Sequence, residues 1–120
     1  MKYEQFLNVI DKKKEIFCNI SDFLWENPEI PFCEYKAANL ITAELEKEGF
    51  RVTRGVAGMP TAFVATFGNG YPRLGILAEY DALSGMSQVG CLAEKKPIPH
   101  LAEFFAQRAT LSPFLSPIVS

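Results

Sequence analysis

The sequence predicts an α/β fold in the form of an incomplete layered domain: two N-terminal helices, a three-stranded part of a mixed sheet and then an irregular tail. Two observations predict this order. Apolar residues recur every three or four positions as far as Lys47, and after Gly49 the period changes to two. The length of 120 residues fits one modest domain and is too short for two full ones.

The first helix is predicted from Tyr3 to about Trp25. Its apolar side chains follow steps of three and four residues, which places them on one face with lysine and glutamate on the other. Pro28 and Pro31 end the helix, because proline lacks an N–H donor and disfavours a helical conformation in the residue before it. The apolar face consists of Phe6, Leu7, Ile10, Ile16 or Phe17, Ile20, Phe23 and Leu24.

The second helix is predicted from about Cys33 to Lys47, and its apolar face carries Ala38, Ile41 and Leu45. Gly49 follows directly after the last helical turn. A helix commonly ends with a residue at positive φ, a conformation that costs little only for glycine, so we expect Gly49 to cap this helix.

Three strands are predicted next. "FRVTR" (50–54) alternates between apolar and polar residues, and "TAFVATF" (61–67) is rich in β-branched and aromatic residues. Gly68-Asn69-Gly70 indicates a tight turn, because these residues tolerate positive φ. "RLGILAE" (73–79) is then expected to return as a strand, and its continuous apolar run predicts burial on both faces.

The periodicity is lost after Leu83. Residues 84–100 are predicted to form a long loop, and a short helix is expected at Leu101 to Thr110. The last residues carry apolar side chains without a partner element, which is unusual for the end of a chain. We therefore expect a domain at 1–99 and a divergent tail at 100–120.

The composition excludes two classes of partner. The net charge is −2, and the densest basic run, Lys12-Lys13-Lys14, is flanked by Asp11 and Glu15. Nucleic-acid binding requires a clustered basic face, so this run indicates a solvated helix face. No apolar stretch approaches the ~20 residues that a membrane-spanning helix requires. The sequence predicts neither a nucleic-acid nor a membrane partner.

The cysteines predict the cellular compartment. Cys18, Cys33 and Cys91 are odd in number and widely spaced, which is typical of reduced thiols and not of a disulfide framework. The N-terminus also lacks the uninterrupted apolar core of a signal peptide. A cytoplasmic protein is therefore expected.

A complete catalytic site is not visible in the residues. A hydrolytic zinc site needs about three protein ligands, and the candidates near one another are Glu79, Asp81, Cys91 and the single histidine, His100. Their spacing matches no compact metal motif. A nucleophilic pair of His100 with Cys91 or Cys33 lacks an orienting group at a recognisable spacing. His100, beside Pro99, is better interpreted as a loop residue.

Glu79 and Asp81 form the strongest candidate site. They follow the predicted strand 73–79 at its C-terminal end, where α/β sheets place their ligands. Positions two apart on a strand point to the same side, so both carboxylates would face one crevice, and a divalent cation would offset their mutual repulsion. The alternative is that the strand simply ends at Glu79 and both groups are solvated. The residues alone leave the two interpretations open.

Two segments resemble a known family. "ISDFLWENPEIPFCEYKAANLITAELEKEGFRV" (20–52) resembles the opening of the aminoacylase/carboxypeptidase superfamily of metal-dependent amidohydrolases, which is peptidase family M-twenty. "LAEYDALSG" (77–85) is similar to that family's "EYDALPG" segment, and the following "SQ…AEKKPIP" resembles its aminobenzoyl-glutamate hydrolase-like branch. The resemblance extends from Phe6 to about Pro99, and both segments occur in the family's order.

The resemblance implies hydrolysis of an amide bond in N-acyl amino acids, aminobenzoyl-glutamate or dipeptides, by a pair of divalent ions (Zn, Mn or Co) and a glutamate that activates water. It implies that Asp81 is the motif aspartate that supports the metals, and that Glu79 occupies the neighbouring motif position. Neither residue would be the general base.

The sequence departs from the family after "KKPIP". The family continues with a "GHGCGHN"-like run that holds its principal ligands, whereas this chain continues "HLAEFFAQRATLSPFLSPIVS", and Ser84 stands where the family usually has proline. We expect a truncated or frameshifted copy of a longer gene, or a small protein with a new C-terminus. On this basis we expect the chain to be an inert N-terminal fragment of an amidohydrolase that does not bind the metal pair. The alternative is a non-catalytic fragment or interaction module that binds a partner chain, including a second copy of itself, through an open sheet edge.

Overall fold

The computed structural model describes residues 3–98. These described residues divide into two compact units, with the boundary between Asp81 and Ala82. The elements, in order, are α1 (Tyr3–Glu26), α2 (Tyr35–Lys47), β1 (Arg51–Arg54), a 3-10 turn (Val56–Gly58) and β2 (Phe63–Thr66). Among the described residues, no helix is long and apolar enough to cross a membrane. The predicted α/β class with an incomplete sheet is confirmed.

Helix α1 ends one residue beyond its predicted limit, at Glu26. Asn27 closes it, because both its backbone N–H and its side-chain amide donate to the Phe23 carbonyl, at 2.9 and 3.0 Å. Pro28 follows and prevents continuation. Lys13 on α1 forms an ion pair with Glu48 directly after α2, which connects the two helices at the surface.

Helix α2 begins where a glutamate from the preceding turn reaches its first amides. The two carboxylate oxygens of Glu29 accept hydrogen bonds from the backbone N–H groups of Lys36 and Ala37, at 3.1 and 2.9 Å. The first amides of a helix have no acceptor within the helix, so Glu29 supplies the cap. The helix therefore begins at Tyr35, two residues later than the predicted start at about Cys33.

The C-terminus of α2 confirms the predicted role of Gly49, which has a φ of +86°. Its N–H donates to the Glu46 carbonyl and the N–H of Phe50 donates to the Leu45 carbonyl, both at 3.0 Å. This pair of bonds is the Schellman arrangement, which satisfies carbonyls that would otherwise lack donors. It also turns the chain directly into β1.

Strands β1 and β2 form an antiparallel pair in which Arg51 lies opposite Thr66 and Arg54 lies opposite Phe63. Both lie inside their predicted ranges, 50–54 and 61–67, and are shorter. Residues 55–62 connect the two strands as a loop that contains the 3-10 turn, and its ends are joined where the N–H of Gly55, at a φ of +72°, donates to the Ala62 carbonyl at 2.8 Å. The ring centroids of Phe50 and Phe67 lie 5.2 Å apart at the end of the strand pair.

The predicted third strand is wrong. Residues 73–79 form no regular secondary structure, and the sheet of the described residues has two strands. Burial on both faces is also contradicted, since Leu74, Ile76 and Leu77 are 89, 95 and 92% exposed. A strand that is apolar on both faces requires a hydrogen-bonded neighbour and covering layers, and residues 3–98 supply neither to this segment.

The core is small and lies beside α2. Ala37 and Ala38 are buried, and Thr42 is fully buried with its hydroxyl donating to the Ala38 carbonyl at 2.6 Å. Of the predicted apolar face, Ile41 and Leu45 are half-buried. The helix expected at Leu101 to Thr110 and the tail at 100–120 lie outside the described residues.

Candidate functional site

The two carboxylates predicted from sequence lie on an irregular segment. Glu79 is exposed and Asp81 is half-buried. The expectation that both face one crevice depended on the alternation of a strand, which this segment does not form. The structure therefore provides no strand geometry that brings the two carboxylates together, and the half-buried Asp81 is the more enclosed of the two.

Tyr80, between these carboxylates, anchors the segment to the sheet. Its hydroxyl donates a hydrogen bond to the carbonyl of Thr61, a buried residue just before β2. Its ring stacks on Phe63 of β2 with 5.8 Å between centroids and 23° between planes. Burial raises the pKa of Tyr80 above its ordinary value, and the nearby negative charge of Glu34 raises this pKa further. Asp81 thus follows directly after a fixed residue.

Glu34 is a buried carboxylate that the sequence reasoning did not single out. It is 8% exposed, and one of its oxygens accepts a hydrogen bond from the N–H of Phe32 at 2.9 Å. Its other oxygen has no hydrogen-bond partner among the described residues. Phe32 has a φ of +65°, so the Glu34 bond holds a turn that is strained for a non-glycine residue. The signal for Glu34 in the sequence was its position directly before α2. The carboxylate that caps this helix is, however, Glu29 and not Glu34.

The other sequence candidates are the three free cysteines and His100, of which His100 lies outside the described residues. Cys18 and Cys91 are exposed free thiols, and Cys33 is half-buried. His100 lies outside residues 3–98, so its predicted loop position and its pairing with Cys91 or Cys33 stay predictions. In the second unit, Ser87 donates to the Ile98 carbonyl at 2.9 Å and closes the described part of the loop that was predicted over 84–100.

The described residues do not fit a divalent metal site. No group of three or more His, Cys, Asp or Glu side chains within residues 3–98 is placed to hold an ion. A catalytic site needs about three protein ligands, so Asp81 and Glu79 would supply at most part of one.

Removing the Tyr80 hydroxyl should loosen this segment. The Tyr80→Phe variant keeps the ring stacked on Phe63 and loses the bond to Thr61, so we expect a loss of about 1 kcal/mol in the free energy of unfolding. This free energy is measured by urea unfolding, with circular dichroism as the signal. Tyr71→Phe is the matched control, because Tyr71 is 84% exposed and its change should stay within about 0.5 kcal/mol. Equal midpoints for the two variants would contradict the anchoring role of Tyr80.

Comparison with known proteins supports the family resemblance. No family profile matches the chain. The chain is 42% identical over 85 residues to one of the subunits of the p-aminobenzoyl-glutamate hydrolase of Escherichia coli strain K12. The matched segment is 70% of this chain and 18% of that protein, so the chain spans less than a fifth of the length of the curated relative it matches. The predicted resemblance to an aminobenzoyl-glutamate hydrolase-like protein is confirmed.

Proposed function

We propose that this chain is part of a metal-dependent amidohydrolase of peptidase family M-twenty. Its proposed substrates are amides of the aminobenzoyl-glutamate, N-acyl amino acid or dipeptide type. The observation that carries the proposal is the similarity to a protein of a hydrolase named for the first of these substrates. Because that relative is one subunit of its enzyme, we also propose that the complete protein assembles with a further chain.

Within this function, Asp81 is proposed to support the metal pair and Glu79 to occupy the neighbouring motif position. The anchoring of Tyr80 to Thr61 and Phe63 supports this assignment, since it fixes the backbone directly before Asp81. The general base and the remaining ligands are proposed to come from outside residues 3–98. The free thiols of the described cysteines support the cytosol as the proposed compartment.

The 120-residue chain alone is proposed to be inert towards amides and not to hold the metal pair. A cation held only by Asp81 and Glu79, of which Glu79 is exposed, gains little free energy relative to its hydrated state. Calorimetric titration of Zn²⁺, Mn²⁺ or Co²⁺ into the chain should therefore show no tight stoichiometric binding. Tight binding that Asp81→Ala abolishes would contradict the proposal, and Glu94→Ala, which removes an exposed carboxylate of the second unit, is the control variant.

The proposed family function is tested by segment exchange. The 85-residue matched segment of the Escherichia coli relative is replaced by the corresponding segment of this chain, and the exchanged protein is assembled with the relative's own partner chains. If the segment belongs to an amidohydrolase, hydrolysis of p-aminobenzoyl-glutamate survives the exchange. A folded, assembled protein that lacks hydrolysis would contradict the proposal.

A second candidate function is association through the unpaired segment 73–79. The observation that favours it is the exposure of Leu74, Ile76 and Leu77, which are 89, 95 and 92% accessible in a segment of high strand propensity. Contiguous exposed apolar side chains next to unpaired backbone are typical of protein-interaction surfaces. This candidate is a non-catalytic interaction module, and it is compatible with the chain being inert as a hydrolase.

A further inference from the structure

Residues 73–79, here called the pairing segment, have a backbone that is open to a partner. Within the part of the chain that the structure describes, no N–H or carbonyl of this segment takes part in a backbone–backbone hydrogen bond. Every residue of the segment is exposed. An extended chain with unpaired polar groups and apolar side chains can pair with another strand, and pairing would satisfy those groups.

The ends of the pairing segment carry opposite charges. Arg73 begins it and Glu79 ends it, and the five residues between them are uncharged. Arg73 packs over the Tyr71 ring, with its guanidinium carbon 5.0 Å from the ring centroid, and the described ion pairs of the chain involve neither Arg73 nor Glu79. Both charges are thus placed to meet a partner strand.

We propose that the pairing segment binds a second copy of this chain as an antiparallel strand centred on Ile76. In that register Ile76 lies opposite Ile76 of the second copy, and Leu74 lies opposite Ala78. Arg73 of each copy then lies opposite Glu79 of the other, which gives two favourable charge pairs for each dimer. The contact is two-fold symmetric and closes on itself, so it predicts a dimer and not a filament.

The charges select the antiparallel register over the parallel one. A parallel, in-register pair would place Arg73 beside Arg73 and Glu79 beside Glu79, and like charges directly opposite one another are destabilising. A shift by one residue would lose both charge pairs and move the apolar side chains to the other face. This inference names the partner and the register for the interaction surface proposed above, on which it rests, and it is independent of the amidohydrolase proposal.

Analytical ultracentrifugation of the full chain over a range of concentrations tests the pairing. We expect a reversible monomer–dimer equilibrium for the unmodified chain. Arg73→Glu and Glu79→Arg each convert both charge pairs into like-charge pairs, so each should weaken dimerisation about tenfold. The double variant restores both pairs and should dimerise as the unmodified chain does. An equimolar mixture of the two single variants should form a heterodimer of similar affinity.

These measurements test the interaction surface and the strand register separately. If the chain dimerises and the single variants dimerise equally well, the register is overturned and the interaction surface stands. If the unmodified chain is monomeric, or forms only polydisperse aggregate, both are overturned. Ile76→Lys gives an independent check, because it places two like charges at the centre of the pair and should prevent dimerisation. The substituted side chain, Ile76, is 95% exposed in the monomer.

Discussion

Glu29→Ala is expected to lower the free energy of unfolding by about 2 kcal/mol. The change removes a carboxylate that accepts the N–H groups of Lys36 and Ala37 at the beginning of α2. Two helical amides then lose their acceptor, and a negative charge is lost from the positive end of the helix dipole. Ala37 is 2% exposed, so its N–H cannot readily find a water molecule instead.

The effect of Glu29→Ala on the stability of the chain should be large because the core around α2 is small. Thr42 and the alanines 37 and 38, all on α2, are three of the six buried residues in the described part of the chain. A small domain has little stability in reserve, so a loss of this size removes a large fraction of it. The urea midpoint measured by far-ultraviolet circular dichroism should fall, and the helical signal at zero urea should decrease.

Two further variants control the Glu29 result. Glu29→Gln keeps one carbonyl oxygen as an acceptor and should lose about half as much stability. Glu26→Ala removes an exposed carboxylate from the last turn of α1 and should stay within about 0.5 kcal/mol of the unmodified chain. If Glu29→Ala unfolds at the same urea concentration as Glu26→Ala, Glu29 does not cap α2.

The helices and the first two strands were predictable because their signals are local. Apolar spacing and the proline pair located α1, and Gly49 located the end of α2, where its positive φ completes the Schellman bonds. The start of α2 was predicted two residues early, since its cap comes from Glu29, seven and eight residues before the amides it binds. No sequence pattern in common use identifies a cap at that distance.

Whether residues 73–79 form a third strand could not be predicted from the segment's own sequence. "RLGILAE" has the composition of a buried strand, but strand formation depends on a neighbour to share hydrogen bonds and on layers that cover both faces. Residues 3–98 provide neither, so Leu74 and Ile76 remain exposed. The same composition that made the segment look buried makes it suited to pairing with another chain.

The candidate carboxylates were named from the sequence and stay a prediction, whereas the residues that hold the segment around them were not foreseen. Asp81 was identified from its position after an apolar run and from the family resemblance. Tyr80 lies between the two carboxylates, yet its bond to Thr61 crosses 19 residues of sequence and follows only from the fold. Glu34 gave no signal beyond its place before a helix, although it is the buried carboxylate whose charge acts on Tyr80.

Asp81→Asn, introduced into the exchanged Escherichia coli relative, is expected to lower kcat/KM for p-aminobenzoyl-glutamate on the order of 100-fold. In the proposed function Asp81 is a carboxylate that supports the metal pair, and the amide that replaces it is isosteric but uncharged. Groups that orient metal ligands typically contribute effects of this size. Metal content measured on the same preparations should fall with the activity.

Ser84→Pro is the matched control in this experiment. Ser84 is exposed and stands where the family usually has proline, so restoring proline should leave hydrolysis within about threefold of the exchanged protein. Glu79→Gln should have a smaller effect than Asp81→Asn, because Glu79 is exposed and Asp81 is half-buried. A larger loss from Glu79→Gln would reverse the proposed roles of the two carboxylates.

The most direct measurement is the ratio of kcat/KM between the exchanged protein and its Asp81→Asn variant, with both shown to be folded and assembled. If the matched segment of this chain is an amidohydrolase segment that contributes Asp81 to the metal site, the exchanged protein hydrolyses p-aminobenzoyl-glutamate and the ratio is on the order of 100. A ratio near one, or a folded exchanged protein without hydrolysis, would contradict it.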